Sequence, residues 1–395
     1  MSLQWDREAL ELCRIAGKAG FPCVIVGGAV RDVLRGVRPA DYDLAAGASA
    51  QQLLTVFKGA QLTGGEWGTV TVPRAGRWYQ ITPFRAEDGY TDGRHPDSVQ
   101  FGVSLEQDLA RRDLTVNAMA WDGDKLIDPF GGQEDLDKHI IRMVGDPMRR
   151  LSEDGLRILR VFRFASALDF TVEQETLDAA LRCQQNLFSV SSPRLRSELQ
   201  GVLMGKAPQV IEPLLRSGGL CTAGFLAPRV PGALAAMRKV PENMLLRWWA
   251  FLELIGADKR KVCTSMDFSR DFYAELVRLD LYFREPADTV TLKWRAAKLK
   301  SVTMRDMLAA FCALDDRFAE NEAQWNKIKN SGEPYRSDQM AVNGRILVAQ
   351  GLRGEAIGRR LRALRTAVYA RPELNRQSTL LSLSAIMDQL ELYER

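Results

Sequence analysis

Residues 26–45 read VGGAVRDVLRGVRPADYDLA. The short apolar run Pro22–Val26 leads into this stretch and ends at two glycines, which predicts a strand that stops where the backbone turns sharply. Val30–Leu34 then carries helical spacing, so Gly27-Gly28 falls at a strand-to-helix junction whose free amide N–H groups can hold phosphate oxygens. Asp41 and Asp43 follow, two residues apart. In a strand both carboxylates project from one face. Paired carboxylates are unfavourable unless a cation lies between them. Hard oxygen ligands beside a phosphate-holding loop point to Mg²⁺ and to phosphoryl or nucleotidyl transfer. An Asp-rich solvated turn is the competing explanation of the two acids taken alone.

Working outward, Gly68–Pro73 and Arg77–Phe84 alternate as strands do, and Val116–Trp121 and Leu126–Ile127 predict further strands. Ala50–Phe57 reads as a helix. Beyond Pro147 the pattern turns helical, cut into ordinary lengths by Pro193, Pro208, Pro213, Pro228, Pro231 and Pro241. The expected fold is an α/β head with a small mixed β-sheet, followed by an elongated all-α remainder. Expected boundaries are 1–145 for the head, 146–210 for a helical neck, 211–290 for a helical body, and 291–395 for a helical tail.

Composition narrows the chemistry. With 46% hydrophobic and 26% charged residues over 395 positions, the chain buries a globular core and is neither disordered nor fibrous. Six cysteines without a CxxC pair argue against a disulfide framework or structural zinc, and suit reduced thiols in a cytoplasm. The opening MSLQWDREAL lacks the basic start and apolar stretch of a secretion signal. Met244–Gly256 is apolar but interrupted by Arg247 and Glu253, and is far shorter than the roughly 20 residues of a bilayer span; it predicts a buried helix and no membrane association. Two histidines, His95 and His139, exclude chemistry that needs several imidazoles. Residues 291–395 hold 18 Lys and Arg against 12 Asp and Glu, a surplus compatible with a polyanionic partner or with a solvated helical surface.

Ser152-Glu153-Asp154-Gly155-Leu156-Arg157 carries two readings. Ser152 is a candidate N-cap followed by acids in a first helical turn. Equally, Asp154 and Arg157 are three apart and would lie side by side on a helix. Cytosine and adenine both present an amino donor next to a ring-nitrogen acceptor, whereas uracil and guanine reverse that order. An acceptor at Asp154 beside a donor at Arg157 therefore suits C and A.

The segments VGGAVRDVLRG, ADYDLA, LARRDLTVNAMA, LIDPFGG and SEDGLRILRVFRF, in this order, resemble the class II branch of the polymerase-β-type nucleotidyltransferase superfamily. That branch holds bacterial CCA-adding enzymes with their A-adding and poly(A) polymerase relatives. The resemblance covers residues 22 to about 200, with a weaker match at Met340–Gly354. It implies that Asp41 and Asp43 bind two catalytic metals. Gly28, Arg31 and Arg112 would contact the nucleotide, with Arg111 the lesser member of its pair. It also implies that Asp154 and Arg157 act as a protein template for CTP and ATP, and that Arg160 and Arg163 continue the nucleotide-binding series. Where many relatives carry a third acid, this chain has Gln80. Asp88–Ser98 falls where the family has a loop that helps switch from C to A addition, although a plain surface loop explains it equally well. Arg194 and Glu198 match a neck motif and are expected to form an i,i+4 helix pair.

The implied activity is template-independent addition of CCA to tRNA. An A-adding enzyme acting on tRNA-CC shares every motif. A poly(A) polymerase fits less well, since those usually carry a basic stretch upstream of the glycine pair and only 26 residues precede it here, and a catalytically inactive RNA-binding protein fits least, since Asp41, Asp43, Asp154 and Arg157 are intact. Whether the chain is a monomer or a homodimer is not legible in the sequence.

Overall fold

The structure, a computed structural model, describes residues 4–65, 68–90, 96–228 and 230–393. The chain divides into two compact units, one running to Arg238 and including Ile255–Asp267, the other comprising Lys239–Leu254 and the chain from Phe268 onward.

The first unit is built on a seven-stranded mixed sheet. Its strands are β1 (Cys23–Val26), β2 (Asp43–Ala46), β3 (Gln61–Leu62), β4 (Val70–Arg74) and β5 (Arg77–Pro83). A hairpin of β6 (Arg85–Asp88) and β7 (Ser98–Phe101) stands outside that sheet, and β8 (Ala120–Trp121) and β9 (Leu126–Ile127) complete it. The spatial order is β3-β4-β5-β2-β1-β8-β9. β2 therefore lies between β1, which it pairs antiparallel with Val26 opposite Asp43, and β5, which it pairs parallel with Asp43 beside Gln80. β1 is buried along its whole length, whereas β2 buries Leu44–Ala46 and leaves Asp43 accessible at its first position. The sheet thus carries its apolar residues inward and its first acid outward.

Helix α1 (Arg7–Lys18) buries Ala9, Leu12, Cys13 and Ala16, and is started by the Asp6 carboxylate, which accepts the Glu8 and Ala9 amides at 2.9 and 3.0 Å. α2 (Gly28–Leu34) follows β1 directly, and α3 (Ala50–Val56) and α4 (Leu105–Ala110) each begin with a Ser–Gln capping box. Only the end of the expected strand Val116–Trp121 is extended. Thr115–Asn117 instead forms a 3₁₀ turn, because Thr115 donates its hydroxyl to the buried Asp135 carboxylate at 2.7 Å and its amide to the Arg142 carbonyl.

Beyond the sheet come α5 (Gly132–Asp137), β10 (Ile140–Ile141), α6 (Pro147–Glu153), α7 (Leu156–Leu168), β11 (Thr171–Val172), α8 (Gln174–Arg182) and α9 (Ser192–Leu203), with β10 and β11 paired in parallel. Asp146 caps α6, with Pro147 in its first turn. Ser152 is not an N-cap. It lies inside α6 and donates back to the Met148 and Arg149 carbonyls at 2.9 and 2.7 Å. The helix breaks after Glu153, and Asp154 caps α7 by accepting the Leu156 amide at 2.9 Å. α9 and the turn that follows it come close to α7 at two glycines: a Cβ on Gly201 would lie 2.5 Å from Arg163 Cδ, and one on Gly205, past the helix end, would lie 2.2 Å from Ser166 Oγ.

The second unit is helical, and its core is aromatic. Met244–Leu254 is the expected buried helix, and its Trp248 and Trp249 are fully enclosed. Trp249 stacks edge-on against Phe283, which lies flat on Phe318, while Trp249 Nε1 donates to Asp280 at 2.9 Å. Lys293 is fully buried and donates to Glu333 and to the Tyr369 carbonyl at 2.5 and 2.9 Å. Among the described residues no helix is long and apolar enough to cross a membrane.

Candidate active site

Where β1 ends, Gly27 adopts φ +72° and ψ −132°, a region that L side chains rarely enter. Its amide donates to the Met119 carbonyl at 3.1 Å. A Cβ at Gly27 would stand 3.0 Å from Arg112 Nη1, so the glycine also makes room for that guanidinium. Gly28 opens α2, one turn ahead of Arg31. Arg31 is held by the Asp32 carboxylate (Nε–Oδ1 2.9 Å) and the Asn117 amide oxygen (2.6 Å), and its guanidinium lies 5.4 Å over the Phe164 ring of α7.

Asp41 lies two residues ahead of β2 rather than within it, and Asp43 is the strand's first residue. Solvent reaches Asp43, yet the surrounding chain crowds it. Burial pushes its carboxyl above the ordinary aspartate value and the Asp41 charge adds to that, with Arg112 opposing. Gln80 occupies the neighbouring position on β5. Among the described residues no cluster of three or more Asp, Glu, His or Cys could hold a metal ion. A divalent ion held by two carboxylates and completed by substrate phosphate and water matches this donor set, and it would relieve the repulsion that Asp43 feels.

The arginines proposed for the nucleotide are each set on a carboxylate. Arg112 pairs with Asp108 (Nη2–Oδ2 3.2 Å), and its buried Nε has no hydrogen-bond partner among the described residues. Arg111 spends its donors on Asp108, on Glu87 and on the Arg85 carbonyl, which makes it structural. Asp108 itself is 1% exposed. Burial alone would push its carboxyl up, but Arg111, Arg112 and the Arg85 amide outweigh it and hold the carboxyl below the usual range. Arg160 donates to Asp113 at 2.7 Å, and the Arg163 Nε–Glu198 Oε2 contact at 2.7 Å is an ion pair without hydrogen-bond alignment. Burial drives the Arg163 guanidinium down and the Glu198 carboxyl up, as in a buried pair only partly compensated.

Asp154 and Arg157 are not neighbours on one helix, because Asp154 precedes α7. Asp154 accepts from Arg194 at 3.1 Å besides capping the helix. Arg157 bonds Glu153 and the Arg150 carbonyl (3.0 Å), and its guanidinium lies 5.4 Å over the Tyr90 ring. Burial, and then the Glu87 carboxylate that the hydroxyl donates to at 2.7 Å, push Tyr90 up to about 12, so that hydroxyl stays protonated. Arg194 and Glu198 do not pair along α9 as expected. Both reach across to the α7 region, Arg194 to Asp154 and Glu198 to Arg163. Of the expected switching loop Asp88–Ser98, residues 91–95 lie outside the described residues; its flanks continue from the β6–β7 hairpin.

Sequence reasoning passed over Asp108, Asp113, Asn117 and Glu153, which aim the arginines. Asp108 precedes Arg111 and Arg112 by three and four residues, and Glu153 precedes Arg157 by four, so helical ion-pair spacing carried the signal. Asp113 and Asn117 stand in LARRDLTVNAMA but bond Arg160 and Arg31, 47 and 86 residues away, which no spacing reveals.

Residues 23–142 match the family model described as the Poly A polymerase head domain. The CCA-adding enzyme of Bacillus licheniformis is 35% identical over 352 residues, covering 86% of this chain and 87% of that protein. That of Limosilactobacillus reuteri is 31% identical over 385 residues, 92% of each. With the CCA-adding enzyme of Ligilactobacillus salivarius the identity rises to 44% over 204 residues, a match spanning 50% of that relative. Among solved structures, the Bacillus stearothermophilus CCA-adding enzyme in complex with CTP superposes with a TM-score of 0.75 at 25% identity, over 97% of this chain and 98% of that one. The Thermotoga maritima CCA-adding enzyme complexed with tRNA shares the fold, with a TM-score of 0.69 at 21% identity over 96% and 94%. Similarity of this degree along most of both chains, with the same fold, places this chain in the family of CCA-adding enzymes, the tRNA nucleotidyltransferases.

Proposed function

We propose that this protein adds C, C and A in turn to the 3′ end of tRNA, taking them from CTP and ATP and releasing pyrophosphate. A divalent metal is a general requirement of nucleotidyltransferases of this family; the metal proposed here is Mg²⁺, held by Asp41 and Asp43. The observation that carries the reading is the placement of Asp43 one strand over from the Gly27-Gly28 junction, with Arg112 against Gly27 and its charge felt by Asp43. When bound, the metal supplies charge neutralisation for the triphosphate and favours ionisation of the attacking hydroxyl.

The residues of this chain do the rest. The amides that open α2 and the guanidiniums of Arg31 and Arg112 take triphosphate oxygens, while the RNA 3′-oxygen bonds to the α-phosphorus and the bond to pyrophosphate breaks. Asp154 accepts from the amino group of C or A, and Arg157 donates to the adjacent ring nitrogen. A carboxylate has about four lone-pair sites and a guanidinium five N–H donors. The bonds to Leu156 and Arg194, and to Glu153 and Arg150, therefore leave both groups capacity for a base. Arg160 and Arg163 continue the nucleotide site along α7. All six cysteines are free thiols, in keeping with a reducing, cytoplasmic setting.

The test is a set of extension assays resolved at single-nucleotide length. Purified protein with Mg²⁺ and tRNA ending at the discriminator base is expected to add two residues with CTP alone and three with CTP and ATP. Asp41→Ala and Asp43→Ala should each abolish extension while sparing tRNA binding. Addition of one A, and only to tRNA-CC, would make the protein an A-adding enzyme, and long A-tails would make it a polymerase.

A further inference from the structure

The strand order dictates the side from which each reactant reaches the carboxylates. On one flank of β2 stand β1, the Gly27-Gly28 junction and Arg112, which the proposed reaction uses for the triphosphate. Entering and leaving oxygens lie roughly in line in phosphoryl transfer. With the triphosphate on that flank, an in-line approach would bring the RNA strand with the attacking hydroxyl from the other flank, over β5, β4 and β3.

That flank is an open sheet face. Registered side chains share a face, so Asp43, Gln80, Thr71 and Gln61 form a row across β2, β5, β4 and β3. Along β5, Trp78 and Gln80 are exposed and alternate with buried Tyr79 and Ile81. The face is hydroxyl-rich: Thr63 and Thr71 share a 2.6 Å hydrogen bond, and Thr69 and Thr82 one of 3.1 Å. Trp78 stands out on it. It is 62% exposed, lies opposite the exposed Pro73 of β4, and shares with Asp41, Arg35 and Arg38 the wall of a cleft of about 1110 Å³.

We propose that this face seats the 3′-terminal nucleotides of the acceptor strand, with the Trp78 indole stacked on a terminal base and Arg38 taking a backbone phosphate. Hydroxyl and amide side chains suit the ribose 2′-hydroxyls of RNA. Stacking is tolerant of base identity, which this reaction needs, because the terminal base changes from the discriminator to C and to C again as the strand grows. The proposal rests on the nucleotidyl-transfer reading above.

The test uses the full chain, its Trp78→Ala and Trp78→Phe variants, and tRNA lacking CCA. Loss of one base–aromatic stack is expected to raise the tRNA KM of Trp78→Ala about five- to 150-fold, leaving the CTP KM unchanged, and Trp78→Phe should recover most of the loss. With 2-aminopurine as the 3′-terminal base, wild-type protein without nucleotide should quench the probe, Trp78→Ala should not, and Trp78→Phe should do so partly. A Trp78→Ala protein with wild-type tRNA KM and quenching, or a defect confined to the CTP KM, would overturn the assignment. Quenching needs no turnover. A wild-type protein that quenches the probe but extends no strand would sink the catalytic reading and leave this one standing, while normal extension with an unquenched probe would do the reverse.

Discussion

Replacing Asp108 by Asn tests how the arginines of the site are held. The carboxylate is 1% exposed and accepts from Arg111 Nη2 at 2.8 Å, Arg112 Nη2 at 3.2 Å and the Arg85 amide at 3.3 Å. An Asn keeps the shape and can still accept from Arg85, but it removes the negative charge from between two guanidiniums. Arg111 retains Glu87, whereas Arg112, already with one N–H unsatisfied, loses its carboxylate partner. Breaking a buried pair from one side costs about 3–5 kcal/mol. In a unit of this size that lowers the melting midpoint by roughly 6–20 °C. Arg112 would also lose its aim, and one weakened charge-assisted bond to phosphate corresponds to a CTP KM raised about ten- to 150-fold. The sign with pH follows from the depressed carboxyl. Its stabilisation is present above the unfolded value near 3.9 and is lost as pH falls through the lower folded value. The melting curves of wild type and of the Asp108→Asn variant, followed by circular dichroism, should differ by a constant amount from about pH 5 to 8 and converge only below about pH 4. A variant that melts with wild type at neutral pH, or a gap that does not narrow as pH falls below about 4, would refute this account.

Three further substitutions probe the neighbouring contacts. Gly27→Ala places a side chain at φ +72° and 3.0 Å from Arg112 Nη1, so a loss of about 1–3 kcal/mol in stability is expected together with a raised CTP KM; an unchanged KM would show that this junction does not seat the triphosphate. Asp43→Asn removes a carboxylate that burial and Asp41 push upward, so thermal melts of the metal-free variant should match or exceed wild type, and the rise that Mg²⁺ gives wild type should vanish. Arg194→Ala frees the Asp154 carboxylate while leaving its bond to the Leu156 amide, and should raise misincorporation of UTP and GTP relative to CTP and ATP; unchanged selectivity in competition assays would mean the base is read elsewhere.

Features legible in the sequence were the local ones. A short apolar run ending in two glycines can do little but stop and turn, and the Asp-x-Asp spacing places two acids together whether or not Asp41 belongs to the strand. The α6–α7 break was only partly legible. Asp154 and Gly155 are weak helix formers, but what requires glycine there is distant: a Cβ at Gly155 would lie 2.4 Å from the Asn186 carbonyl oxygen, in the segment after α8. The same holds for Arg194 and Glu198. Spacing of four permits a pair along α9, but Gly201 lets α9 approach α7 closely, and there Arg194 and Glu198 pair with Asp154 and Arg163 instead. Glycine marked these positions without saying what it faced.

The arrangement of charge bears on how the site can be both stable and ready. Ordering a long side chain at binding costs about 0.5–1.5 kcal/mol; here that cost is met on folding, because a carboxylate already holds each arginine. Two of those carboxylates lie deeper than the cations they hold: the Asp108 side chain is 1% exposed against 19% for Arg112, and Asp113 is 11% against 34% for Arg160, whereas Arg31 is the reverse, 11% against 22% for Asp32. At Arg112 and Arg160 the acids therefore sit behind the cations, and the edge those two present to solvent is positive although the pairs are neutral. Arg157 departs from this pattern. It is 10% exposed, level with its partner Glu153, and Tyr90 covers its face. A group that must tell one base edge from another gains from that depth, since a mismatched base leaves polar atoms unpaired out of reach of water, and the penalty is largest there. In the proposed reaction, depth therefore serves the residue that reads the base, and exposure serves Arg112. The site meets both needs by setting Arg112 and Arg160 forward of their acids and Arg157 beneath a tyrosine.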